Sequence, residues 1–272
     1  MNNLSKNLQE TDLNRRRKQI IGMATGAKLA PRVIEYLPHE NMVWKTVSTA
    51  LRPVWDATVA DEVLEAREII GLPIERVPQL IEVSDKLASS SGFTFHAVPG
   101  LVDAEAFFGA LARKSFLSTQ YLRHPKSPLY TPEPDIIHEV IGHGTCLANP
   151  KLSQLHLLAG QALVRVKKTQ SKQFISNVWW FSGEFGVIRN SRGLKAFGAG
   201  LLSSIGELEF FAKHAQILDL DIQKMGTTPY RIDEFQKVLF AANSIDHLLE
   251  VAGGFFKHAT DEDIAELLSS DG

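Results

Sequence analysis

The chain has 272 residues and a formal net charge of −2, with 44% hydrophobic and 22% charged residues, which suits a soluble protein with a sizeable core and no global pull toward nucleic acid or membrane. A single cysteine, Cys146, excludes an intrachain disulfide and an all-cysteine metal site. No apolar run approaches the roughly 20 residues that span a bilayer, and no signal-like apolar stretch opens the chain, so a cytoplasmic protein is expected.

Residues 1–30 are polar and read as a flexible N-terminal arm, with Arg15, Arg16, Arg17 and Lys18 as a solvated cluster rather than a nucleic-acid site. No composition shift divides 31–272, which reads as one domain. Helical spacing of Val43, Trp44, Val47 and Leu51 predicts a helix over 40–51, ended by Pro53. A second helix over 60–70 stops at Gly71 and Pro73, and a third is expected over 78–88 with Pro78 at its first position. The alternating stretch 93–98 predicts a strand and a turn at Pro99-Gly100. Asp103 can cap a helix over 104–112. Further helices are expected over 152–166, 203–218, 232–242 and 245–251, and the tail 260–272 suits a terminal helix. The fold class is mainly α, with a few short strands.

The segment DIIHEVIGHG, residues 135–144, holds His138 and His143 five residues apart. A zinc protease needs i and i+4. On a regular helix five residues turn through about 500°, so the rings diverge. Gly142 can end or distort the helix and bring His143 back. Downstream, Glu184 lies in WWFSGEFG, between Phe181 and Phe185. A carboxylate in such a setting needs a partner, and a metal is one. Two histidines and a carboxylate match the facial triad of non-haem iron oxygenases. A zinc hydrolase and a non-catalytic helical binding protein are the competing readings. His39, His96, His124, His156, His214, His247 and His258 read as structural.

Three blocks then carry a resemblance: GLVDAEAFFGALARKSFLSTQYLRH (100–124), YTPEPDIIHEVIGHG (130–144) and WWFSGEFGVIRNSRGLKAFGAGLLSSIGELEFF (179–211). In this order they resemble the pterin-dependent aromatic amino acid hydroxylases, and most of all the short bacterial phenylalanine 4-hydroxylases, over roughly 44–256. The resemblance implies a basket-like helical catalytic domain over 31–272 without a regulatory domain, monomeric or homodimeric. It implies iron(II) held by His138, His143 and Glu184, with tetrahydropterin and O2 as cosubstrates and L-phenylalanine converted to L-tyrosine, or tryptophan as the alternative substrate. It implies that Arg123, Thr131 and Ser203 take the amino acid's polar end, that Pro134, Trp180 and Phe185 pack its ring, and that Gly100, Val102, Phe107, Glu139 and Trp179 line the pterin side. Glu133 and Asp135 are placed as supporting acids, with structural ion pairs as the alternative reading. Ala241 falls where tyrosine hydroxylases carry an aspartate in the active-site wall, which argues against tyrosine. Trp179 and Phe197 stand where tyrosines are common, and Ala104 where a pterin-contacting serine is common.

Overall fold

A computed structural model describes residues 3–24, 31–131, 133–232 and 234–269, with backbone alone for 3–11 and 24. The first half is helical: α1 (Asn3–Ala24), α2 (Pro38–Thr58), α3 (Asp61–Ile70) and α4 (Leu80–Ser90), then β1 (Thr94–Ala97), α5 (Ala104–Leu111) and β2 (Ser115–Ser118). A π-helical turn, His138–Gly144, runs into α6 (Thr145–Ala148), followed by α7 (Pro150–Arg165) and α8 (Thr169–Trp179), which continues as a second π turn, Trp180–Glu184. The remainder is β3 (Val187–Asn190), β4 (Gly193–Ala196), α9 (Ala199–Leu202), α10 (Ile205–His214), β5 (Gln216–Asp219), α11 (Ile222–Thr227), β6 (Val238–Ala242), α12 (Ile245–Leu248), a third π turn Leu249–Gly253, α13 (Gly254–His258) and α14 (Asp261–Ser269).

Most expected helices are present, and the mainly α reading holds. Asp103 caps α5 by accepting from the Ala106 amide at 2.8 Å, and α3 ends on Gly71. Helix α2 does not stop at Pro53 but runs through it. Proline removes one helical hydrogen bond, yet Leu51 and Trp55 on either side are buried, and the Trp55 indole donates to the Leu202 carbonyl at 2.9 Å. Pro78 precedes α4, whose first turn begins after Gln79.

Two expected helices are corrected. The stretch 203–218 breaks after His214 into β5, and the second half of 232–242 is β6. Strand β6 lies inside a four-stranded sheet of order β4-β3-β6-β5, parallel to both neighbours, while β3 and β4 form an antiparallel pair. A strand covered on both faces reads as a continuous apolar run, which periodicity does not separate from helix. The strand over 93–98 finds its partner in β2, with Phe95 opposite Phe116 in parallel register.

Of the segment 1–30 expected as an arm, residues 3–24 form α1, and 1–2 and 25–30 lie outside the described residues. Residues 13–23 of α1 lie against the protein: Ile20 is buried with Ile34 and Tyr121, and two members of the basic cluster, Arg16 and Arg17, pair with the body of the protein. Arg16 bonds both carboxylate oxygens of Glu40 at 3.0 Å. Arg17 pairs with Glu133, donates to the Tyr121 hydroxyl at 2.8 Å and sits 4.0 Å over that ring. One contiguous apolar core reaches from Val43 to Ile264. Helix α7 approaches α5 so closely at Gly160 that a Cβ there would stand 2.4 Å from the Ala112 nitrogen. This contact fixes α5, which carries Phe107, against the centre of the molecule.

Candidate active site

The spacing in DIIHEVIGHG is resolved by the backbone. In a π turn the hydrogen bonds run i→i+5, so residues five apart return to one face. His138 and His143 open and nearly close such a turn, and their ring centroids lie 4.8 Å apart. Gly142 does not end the helix, which continues into α6. Its missing side chain instead admits α9, since a Cβ there would meet the Ala199 carbonyl oxygen at 2.5 Å. That approach delivers Ser203, just past α9, to the His138 ring. Glu184 closes the second π turn, sealed by the i→i+5 bond from the Phe185 amide to the Trp180 carbonyl at 2.9 Å.

The three side chains converge. Glu184 Oε1 lies 2.9 Å from His143 Nε2, and its Oε2 lies 3.9 Å from His138 Nε2. The potential ligand atoms all fall within 4.8 Å of one another. Burial pushes the pKa of His138 down to about 4, partly opposed by the Glu184 charge, and that of His143 to about 3. Both rings are therefore neutral at pH 7 and have a lone pair to offer. Burial moves the Glu184 carboxyl the other way, upward, against the pull of His138 and His156.

Ser203 selects the His138 tautomer. Its hydroxyl lies 3.0 Å from the Ala199 carbonyl and 2.9 Å from His138 Nδ1. A hydroxyl has one hydrogen, and the carbonyl can only accept it, so His138 Nδ1 supplies the other bond as N–H. The lone pair then sits on Nε2, facing Glu184. Two neutral imidazoles and one carboxylate, gathered on one side of a cavity, fit an iron(II) ion with positions left open.

The cavity measures about 760 Å³, and its wall includes each residue expected to hold the metal, the substrate or the pterin. Gly100, Val102, Phe107, Glu139 and Trp179 are part of its lining, with the three triad residues. The Phe107 and Trp179 rings meet edge to face at 5.2 Å. Glu139 is buried, and desolvation together with the Glu184 charge holds its carboxyl well above the usual range. Arg123, Thr131, Pro134, Trp180, Phe185 and Ser203 line the same cavity. The Trp180 and Phe185 rings are 4.8 Å apart, and Tyr230 stacks on Trp180 at 4.1 Å and 10°. The Trp180 indole donates to Gln236 Oε1 at 3.1 Å.

Arg123 carries a qualification. One edge of its guanidinium is already clamped: Nε donates to Asp135 Oδ2 at 2.9 Å and Nη2 to Oδ1 at 2.8 Å. Asp135 also accepts from the Arg123 amide at 2.8 Å and the His138 amide at 3.2 Å. Asp135 thus ties the arginine to the metal-ligand turn, and Nη1 donates to the Pro128 carbonyl at 3.4 Å. Glu133 pairs instead with Arg17 of α1. Tyr230, Gln236 and Glu207 were not anticipated; the first lies in an irregular segment with no periodicity to mark it. Ala241 sits buried in β6 and is not among the residues lining the cavity, so its side chain gives no argument about substrate.

A mainly helical chain that sets a His-His-Glu cluster beneath a deep aromatic cavity defines a non-haem metalloenzyme domain. Residues 6–260 match the family model of the biopterin-dependent aromatic amino acid hydroxylases. The chain belongs to that family. It is 43% identical over 257 residues to the phenylalanine 3-hydroxylase of Streptomyces coeruleorubidus, covering 93% of this chain and 91% of that protein. It is 33% identical to human phenylalanine-4-hydroxylase, covering 88% of this chain and 54% of the human one, so it spans about half of that relative. Among solved structures, Chromobacterium violaceum phenylalanine hydroxylase with iron(III) and 7,8-dihydrobiopterin superposes with a TM-score of 0.81 at 27% identity, covering 92% of this chain and 91% of that one. The apo cold-active enzyme of Colwellia psychrerythraea 34H gives 0.80 at 30% identity, covering 88% of this chain and 90% of that one.

Proposed function

We propose that the protein is an iron- and tetrahydropterin-dependent monooxygenase that hydroxylates L-phenylalanine to L-tyrosine with O2. The observation that carries this reading is the convergence of His138, His143 and Glu184 in a cavity whose lining also includes Phe107, Trp179, Trp180 and Phe185. Iron(II) held there supplies the activation of oxygen that no side chain can. The side chains bind, orient and exclude water.

The Nη1–Nη2 edge of Arg123, whose other edge is held by Asp135, takes the substrate carboxylate as a bidentate pair. Thr131 and Ser203 add hydrogen bonds nearby. The substrate ring lies among Trp180, Phe185, Pro134 and the His138 imidazole, whose edges and faces suit an aromatic guest. The pterin stacks on Phe107, within Gly100, Val102, Glu139 and Trp179. Residues 31–272 act as a single catalytic domain, monomeric or homodimeric, with a cytoplasmic role in phenylalanine catabolism. Among the described residues no helix is long and apolar enough to cross a membrane.

The test is product analysis with purified protein, Fe(II), tetrahydropterin, air and phenylalanine, omitting each in turn. Tyrosine that needs all of them is the expected result. The Streptomyces relative's name makes 3-hydroxyphenylalanine the pertinent rival product, and its appearance would overturn the assigned ring position. Metal-loaded protein that hydroxylates tryptophan but not phenylalanine would overturn the substrate.

A further inference from the structure

Behind the metal ligands, three buried ring nitrogens have no hydrogen-bond partner: His143 Nδ1, His156 Nε2 and Trp179 Nε1. Their rings form a nearly equilateral triangle, with centroids 6.0 Å (His143–His156), 5.9 Å (His156–Trp179) and 6.1 Å (His143–Trp179) apart. The His143 and Trp179 planes are parallel to within 7°, and His156 stands at 89° and 86° to them. Buried polar atoms in folded proteins almost always find a protein or water partner. Three unpartnered nitrogens on three mutually adjacent rings call for partners, and one shared partner is the simplest.

Their hydrogen-bonding roles can be assigned. His156 Nδ1 lies 2.8 Å from the Leu152 carbonyl, which only accepts, so Nδ1 carries the hydrogen and Nε2 is a bare acceptor. The Trp179 indole only donates. His143 Nε2 faces Glu184 Oε1 at 2.9 Å. A cation bound at Nε2 displaces any hydrogen there, and the neutral ring must then carry it on Nδ1. With metal in place the triangle presents two donors and one acceptor. One water satisfies all three, accepting from His143 and Trp179 and donating to His156.

We propose that His156 is a positioning residue for the metal centre: through one buried water it receives the Nδ1–H of His143 and so fixes that ligand's tautomer and ring plane. Ser203 does the same for His138 by direct contact. The two imidazole ligands are thus oriented by different means, one by a hydroxyl and one by a histidine from α7. This inference rests on the metal site of the proposed function.

The test is titration of the metal-free protein with Co(II) alone, followed by its visible absorption. His156→Leu, which removes the acceptor, should weaken Co(II) binding about 10- to 100-fold, while His156→Gln, which keeps one, should stay within about threefold of wild type. Wild-type affinity in His156→Leu overturns the proposal, as does an equal loss in His156→Gln. Failure of the wild type to bind Co(II) would instead sink the metal site itself. Should His156→Leu not fold, the Co(II)-loaded wild type at atomic resolution decides: a water within hydrogen-bond reach of all three nitrogens supports the bridge, and a dry gap overturns it.

Discussion

Asp135→Asn isolates the clamp on which the substrate end of the cavity depends. Asp135 is fully buried, and Arg123 nearly so. Each carboxylate oxygen has two donors: Oδ2 takes the Arg123 amide and Nε, and Oδ1 takes Arg123 Nη2 and the His138 amide. An asparagine keeps one oxygen. Whichever way it turns, its NH2 group faces two other donors, and the guanidinium loses its counter-ion in a nearly buried site. Breaking a buried pair by removing one charge costs about 3–5 kcal/mol. In a chain of this size that lowers Tm by on the order of 10 °C. Metal-free protein is the right sample for thermal unfolding, because it separates the clamp from loss of ligand geometry at His138. Metal-loaded protein then gives kinetics, where KM for phenylalanine should rise and KM for the pterin should hold. A Tm within about 2 °C of wild type would show that the pair contributes little, and the clamp argument would fall with it.

Three further outcomes are expected. Glu184→Ala should abolish metal binding and turnover together; metal retained at wild-type affinity would remove Glu184 from the ligand set. Arg123→Lys replaces a planar fork by a point charge, so KM for the amino acid should rise far more than KM for the pterin, and an unchanged amino-acid KM would refute the carboxylate role. Glu207, which borders the cavity, has its pKa raised from 4.5 to about 7 by burial, against the Gln236 amide that bonds it at 3.3 Å. The unfolded chain therefore gives up this proton first, and the wild type loses stability as pH climbs from about 4.5 to about 7, by about 3 kcal/mol in all. Glu207→Gln lacks that loss, so its stability relative to wild type should grow across the same window; urea unfolding at a series of pH values that gave a constant difference would sink the assignment.

What could be read from the sequence divides along physical lines. Amphipathic helices such as α3 and α7 announce themselves by periodicity and end signals, and they lie close to where they were expected. Strand β6 does not, because burial on both faces erases alternation. The metal ligands were legible as residue types but not as geometry: no propensity rule turns HEVIGH into a π turn, and the value of Gly142 depends on Ala199, far along the chain. Arg123 was legible as a cation for a carboxylate, whereas its pairing with Asp135 emerges only when both are placed. His156 offered nothing to distinguish it from a core histidine until the unpaired atoms around it were located.

The placement of all three candidate ligands in π turns has a common physical reason. A π turn widens the helix by one residue and gives up regular hydrogen-bond geometry, a cost that persists where function requires it. In this chain the widening does two jobs. It brings residues five apart onto one face, which an α-helix with this sequence would not do, and it ends the second turn at Glu184 so that the carboxylate meets both imidazoles. Each turn is held by neighbours on both sides: α6 and α9 for the first, α8 and the Phe185 amide for the second. The distortion is therefore braced by packing that does not involve the ligand atoms themselves. The same backbone that is shaped by its neighbours thus gathers the three side chains where a metal would bind.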